Sequence, residues 1–187
     1  MKRSILVKLA GIAAAVSLLV GGAYAAFTSN SVTITGVVLS SATPTLEVYT
    51  GSAWGSTTAN GGTLGITESN MYPGFVGAEH TFYLRNTSDA SVPFGQIVAN
   101  LPSAESGGWD ALKDVVQMKF GETGTGWSTP WYTLNQWNGE SANILLSNLP
   151  GGNTQRQFSV QFQMPSADDG AKGKALEFTL GFVGMTP

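Results

Sequence analysis

The chain has 187 residues, only 11% of them charged, and its formal net charge at neutral pH is −3. It contains no cysteine and a single histidine, which excludes disulfides, thiolate metal sites, zinc sites with paired histidines and cysteine–histidine nucleophiles. Beyond residue 25, six basic residues stand against twelve acidic ones, and this charge of about −6 leaves no basic patch for nucleic acid.

The first 25 residues are predicted to be an export signal. Residues 1–8 form a short basic segment and residues 9–20 an apolar one, followed by the small-x-small triplet of Ala23, Tyr24 and Ala25. Cleavage is expected between Ala25 and Ala26, which would place the remaining chain outside the cell, either secreted or on the cell surface. The alternative is a retained membrane anchor, because the uncharged run is close to the minimum length for a span.

Alternation of apolar and polar residues predicts a series of short strands. In the first, residues 31–39, Val32 and Ile34 share one face and Gly36 marks a bulge or bend. The others are predicted at residues 45–50, 80–86, 92–99, 115–120, 130–134, 143–146, 156–164 and 175–183. A Gly-rich loop, a Pro-Gly turn and a short connecting helix are predicted at residues 51–65, 73–74 and 106–115. Many short strands without a βαβ rhythm predict an all-β, antiparallel two-sheet sandwich.

Both ends of the chain resemble the TasA and camelysin family, whose members are exported with a dedicated SipW-type signal peptidase and are found in biofilm matrix fibres. Archaeal bundling pili are similar. The matching positions are Gly21, Gly22, Tyr24, Ala25, Ala26 and Phe27 at the start, and Ala167, Asp168, Asp169, Gly173 and Lys174 near the end. The resemblance implies a jelly-roll sandwich with hairpins at residues 80–99 and 156–183. It also implies a fibre subunit whose partners are SipW-type signal peptidase, copies of itself, and other matrix or cell-surface components.

The β-prone segment that follows the cleavage site suggests how copies would join. Residues 26–36 are predicted to act as a donor strand ahead of a sandwich domain at residues 37–187. The strand would leave its own subunit and add to the next, with Phe27, Val32 and Ile34 in pockets there. A head-to-tail contact of this kind does not close, so it generates a fibre or pilus.

Two other functions stay open. A carbohydrate- or partner-binding surface module would use Trp127, Trp131 and Trp137, because flat aromatic rings suit the apolar faces of sugars. A camelysin-like surface metallopeptidase is disfavoured, since His80 is the only histidine and is interpreted as an ordinary strand residue. The glutamates are scattered and Asp168-Asp169-Gly170 is interpreted as a turn, so no catalytic residue, metal site or cofactor is predicted and the chain is not expected to be an enzyme.

Overall fold

A computed structural model describes residues 30–40, 45–49, 53–55, 64, 66–101 and 107–187. The predicted signal with its cleavage positions Ala23, Ala25 and Ala26, and the donor-strand residue Phe27, lie outside these residues. Within the described ranges, none of the helices combines the length and the apolar character that crossing a membrane requires.

The described residues form thirteen strands and two short helices. The strands are β1 (Ser31–Ser40), β2 (Leu46–Tyr49), β3 (Trp54–Gly55), β4 (Thr67–Ser69), β5 (Phe75–Val76), β6 (His80–Asn86), β7 (Gln96–Asn100), β8 (Gln117–Glu122), β9 (Gly126–Trp127), β10 (Tyr132–Thr133), β11 (Ala142–Asn143), β12 (Thr154–Met164) and β13 (Ala175–Met185). The helices are α1 (Trp109–Leu112) and α2 (Leu134–Gly139), and a 3₁₀ turn covers Asp169–Ala171.

These strands form two facing sheets. The first sheet has the order β11-β7-β13-β1-β4, and the second has the order β10-β8-β12-β6-β2-β3, with β5 on β12 and β9 on β8. All neighbouring strands of the two sheets are antiparallel except β1 and β13, which are parallel. The all-β two-sheet sandwich predicted from the sequence is therefore confirmed, whereas the jelly-roll topology implied by the resemblance stays a prediction.

The core lies between the sheets because each long strand turns one face inward. On β12 the alternate residues Phe158 and Phe162 are fully buried, and on β13 so are Phe178 and Phe182. The ring of Phe182 lies 5.4 Å from that of Phe82 on β6, so an aromatic contact joins the two sheets. Burying a side chain of this size contributes about 1.5–3 kcal/mol, which makes the aromatic layer a main source of stability in a chain without disulfides.

The two hairpins implied by the resemblance are wrong. Strands β12 and β13 belong to opposite sheets, and so do β6 and β7. Each of these strands turns its apolar face toward the core between the sheets, so a crossing buries the same side chains that a hairpin within one sheet would bury. Between β12 and β13 the crossing passes through the 3₁₀ turn, which begins where the Asp168 carboxylate accepts a hydrogen bond from Gly170 N at 2.9 Å.

Helix α2 was not predicted, and the strand predicted at residues 130–134 is shortened by it to β10. Its start is a capping box, in which Thr133 Oγ1 accepts from Gln136 N at 3.1 Å and Gln136 Oε1 accepts from Thr133 N at 2.8 Å. A threonine followed three residues later by a glutamine is the sequence signature of such a start. The helix was thus predictable from its cap, although it is too short for a clear apolar period.

Candidate functional sites

The N-terminal strand β1 is an interior strand of the first sheet. Residues 31–34 pair in parallel with residues 175–178 of β13, and residues 31–33 pair with β4 on the other side. The side chains of Val32 and Ile34 have no exposed area. In this single chain, the two predicted donor-strand residues that the structure describes therefore fill the core of their own subunit.

A break in register divides β1 into two parts. The pairing with β13 shifts between Ile34 and Gly36, which confirms the bulge predicted at Gly36. Beyond the shift, residues 36–40 pair with residues 179–183. The bulge falls at the predicted boundary between the donor segment and the rest of the sandwich.

Asn30 holds the entry of β1 into the sheet. Its side chain has no exposed area, its Oδ1 accepts from Lys174 N at 3.0 Å, and its main-chain oxygen accepts from Met71 N at 3.3 Å. Among the described residues its Nδ2 finds no hydrogen-bond partner. A buried amide without a hydrogen-bond partner costs about 1–3 kcal/mol. Asn30 therefore stabilises the start of β1 less than its complete burial would suggest.

Next to β1, a side-chain hydrogen bond connects the edge strand β4 to strand β6 of the second sheet. Glu68 stands opposite Val32 in the β1–β4 pair, and its side chain is 10% exposed. Its Oε1 lies 2.7 Å from Nε2 of His80, at the start of β6. The lone histidine thus serves as a structural partner of a buried glutamate beside the donor strand.

The three tryptophans predicted as a sugar platform do not lie together. Trp137 is 1% exposed, and its Nε1 donates to Met118 O at 3.0 Å, so it has no face free for a sugar ring. Trp127 and Trp131 instead both lie against Lys119, whose Nζ is 3.9 Å and 4.2 Å from the two ring centroids. Trp137 therefore does not belong to a sugar-binding surface. Trp127 and Trp131 remain as a pair of tryptophans in contact with Lys119.

The β8–β9 hairpin brings Trp127 to this position. Gly121 stands opposite Trp127, and any side chain at Gly121 would collide with the carbonyl of Gly126, so only glycine allows the hairpin to close this tightly. Burial lowers the pKa of the Lys119 ammonium, and the carboxylate of Glu79 acts in the opposite direction. Cation–π contact with the two rings also favours the charged form of Lys119.

Beside Trp127 lies an open depression of about 340 Å³. Two of the glutamates that are scattered in the sequence, Glu79 and Glu122, line it together with Ser159. The Glu79 carboxylate accepts from the Ser159 hydroxyl, and Glu122 Oε1 accepts from Leu146 N at 2.6 Å and from Arg156 Nη1 at 3.0 Å. Both carboxylates therefore accept hydrogen bonds from groups of the protein itself.

A second depression of about 300 Å³ was not predicted from the sequence. It is lined by Tyr49, Trp54, Tyr83 and Gln155, which come from four different strands of the second sheet. Trp54 lies within the Gly-rich loop predicted at residues 51–65, and no local sequence pattern connects it to residues about 30 and 100 positions away. Only the strand register brings these side chains together.

No protein-family model and no curated protein matches this chain. The resemblance to the TasA and camelysin family therefore rests on the residues quoted above. Within the described ranges, no group of three or more His, Asp or Glu side chains is placed to hold a metal ion.

Proposed function

We propose that this protein is a secreted subunit of an extracellular matrix fibre or pilus, and that it polymerises by exchange of its N-terminal strand. The observation that carries the proposal is the position of β1: a strand from the very start of the predicted mature chain occupies an interior slot between β13 and β4. The family resemblance supports the same function.

The slot is chemically self-complementary. Without the first part of β1, the sheet would expose the main chain of residues 175–178 together with Leu176 and Phe178, which are now 1% and 0% exposed. The same strand of another copy would restore every one of these contacts, so exchange replaces an internal contact with an identical external one. Because the contact runs head to tail, repeated exchange builds a filament.

The bulge at Gly36 supplies the hinge for this exchange. The part of β1 after the bulge keeps its own pairing with residues 179–183, so the sandwich retains that anchor while residues 26–35 leave. Cleavage by a SipW-type signal peptidase would act as the switch, since a strand tethered at a membrane cannot reach a neighbour.

Electron microscopy of residues 26–187, purified as monomer and then concentrated, tests the proposal. We expect regular filaments from this chain and monomers from a chain that also lacks residues 26–35. A synthetic peptide of residues 26–35 should bind the shortened chain, and should block filament growth when added in excess to the full mature chain. Filaments that persist without residues 26–35 would contradict strand exchange, and persistent monomers of the full mature chain would contradict the fibre function itself.

A further inference from the structure

Three aromatic side chains form a row on the outer face of the second sheet. Trp54, Tyr49 and Tyr83 stand opposite one another across β3, β2 and β6. The ring centroids of Tyr49 and Trp54 are 5.3 Å apart, and those of Tyr49 and Tyr83 are 6.4 Å apart. All three remain partly exposed, while Val48, Phe82 and Leu84 on the same strands face the core. The row is therefore a surface feature and does not contribute to the main core.

A salt bridge holds this row in place. The Arg85 guanidinium lies 4.3 Å from the ring centroid of Trp54, and its Nε and Nη2 donate to Glu47 Oε2 at 2.7 Å and 2.5 Å. The Glu47 carboxylate thus compensates the charge beside the rings. A pre-ordered aromatic row loses little side-chain entropy when a ligand stacks on it.

The row continues toward the depression beside Trp127. Gln155 borders the aromatic cleft, and Ser159 borders the other depression, with Gln157 between them on the same strand face. At 3.3 Å per residue the two ends of this stretch are about 13 Å apart. Trp127, 38% exposed, stands at the far rim. The two depressions therefore lie along one path, with the amide of Gln157 between their aromatic ends.

Two of the carboxylates along this path are paired with arginines, Glu47 with Arg85 and Glu122 with Arg156. The Glu79 carboxylate accepts a hydrogen bond from the Ser159 hydroxyl, and the Lys119 ammonium lies against two indole rings. A ligand here meets flat rings, amides and hydrogen-bonding carboxylates, which suit a molecule with apolar ring faces and many hydroxyls. The acidic character of the mature chain disfavours a polyanion.

We propose that the outer face of the second sheet binds a neutral polysaccharide chain, stacked on Trp54, Tyr49 and Tyr83 and extending toward Trp127. This inference is independent of the proposed fibre function, because it concerns the opposite sheet from β1. A fibre subunit with such a face would also tie its fibre to the surrounding polysaccharide.

Affinity electrophoresis of monomeric residues 26–187 in gels containing dextran, laminarin or galactomannan tests the proposal, with carboxymethylcellulose as the acidic comparison. We expect at least one neutral polymer to retard the protein. Trp54→Ala and Tyr83→Ala should each weaken that binding about five-fold or more, as loss of one stacking ring predicts. Trp109→Ala is the matched control, because Trp109 lies in α1, outside this face, and its replacement should leave the binding unchanged.

Each variant is first checked for an unchanged thermal unfolding midpoint, and Trp54→Leu and Tyr83→Leu, which also remove the ring and should weaken binding similarly, replace any alanine variant that fails to fold. In Trp54→Phe and Tyr83→Phe the phenyl ring keeps a stacking face, so these variants should keep most of the binding. Failure of all three neutral polymers to retard the protein overturns the proposal. So does retardation by carboxymethylcellulose alone, or equal weakening by Trp109→Ala. Sedimentation that shows Trp54→Ala and Tyr83→Ala abolishing self-association, with no effect on polysaccharide binding, would reassign the face to a contact between copies.

Discussion

A covalent link between β1 and β13 offers a direct test of strand exchange. Thr33 and Glu177 stand opposite each other in the parallel pair, and both side chains point away from the buried Val32 and Ile34. Neighbouring strands lie about 4.8 Å apart, which is within the 4.4–6.8 Å Cα separation that disulfides span. Because the chain has no cysteine, Thr33→Cys combined with Glu177→Cys permits only one intramolecular disulfide.

This link closes a loop of about 145 residues. In the chain-entropy model a loop of that length stabilises the folded monomer by about 5 kcal/mol, less any strain in the folded geometry. The larger effect is kinetic, since the first part of β1 can no longer leave its own subunit while the bond is intact. Oxidised protein should therefore be more resistant to denaturant than reduced protein and should not polymerise.

Electron microscopy and sedimentation of the same preparation, before and after addition of a reductant, provide the measurement. We expect monomers when the protein is oxidised and filaments when it is reduced. The matched control joins Gln117 to Gln163, an opposite pair on two interior strands of the second sheet, through Gln117→Cys and Gln163→Cys. That protein should form filaments in both states. Filaments formed by the oxidised Thr33→Cys/Glu177→Cys protein would refute strand exchange, because they could form only without release of β1.

Three further substitutions test the packing that supports the two sites. Ile34→Ala should lower the free energy of unfolding by about 2–5 kcal/mol in urea titration, because the side chain is fully buried; a loss below 1 kcal/mol would contradict its place in the core. Asn86→Ala should cost about 2 kcal/mol or more, since Asn86 Nδ2 donates to the main-chain oxygens of Val92 and Leu149 at 2.9 Å and 3.2 Å; an unchanged unfolding midpoint would show that water replaces these bonds. Trp137→Phe should cost about 1–3 kcal/mol through loss of the bond to Met118 O, and should leave any polysaccharide binding intact; weakened binding at unchanged stability would return Trp137 to the sugar platform.

The strands themselves were largely predictable because alternation reports burial. Strand β6 begins and ends at the predicted residues, and β12 and β13 extend the predicted ranges by only two residues each. Gly36 was recognised as a bulge because the apolar phase of β1 changes there. A one-sided strand in a small sandwich has to place its apolar face inward, so for these strands local pattern and tertiary position agree.

Strand partners could not be predicted in the same way. The pattern of β12 and β13 fits a hairpin as well as it fits a crossing between sheets, since both arrangements bury the same side chains. The clustering of Tyr49, Trp54 and Tyr83, or of Glu79 with Glu122, depends on that order and register. Alternation indicates which face of a strand is buried, but it carries no information on which strand lies next to it.

The two proposals concern opposite sheets, which makes them separable by experiment. Exchange involves β1 and its neighbours in the first sheet, whereas the aromatic row lies on the outer face of the second, with the buried core between them. The oxidised Thr33–Glu177 link should therefore abolish filaments and leave polysaccharide affinity per subunit unchanged. Trp54→Ala should weaken polysaccharide binding and leave filament formation unchanged. If the link lowered polysaccharide affinity even in dilute monomer, the two faces would be coupled through the core, and the assignment of one role to each sheet would fail.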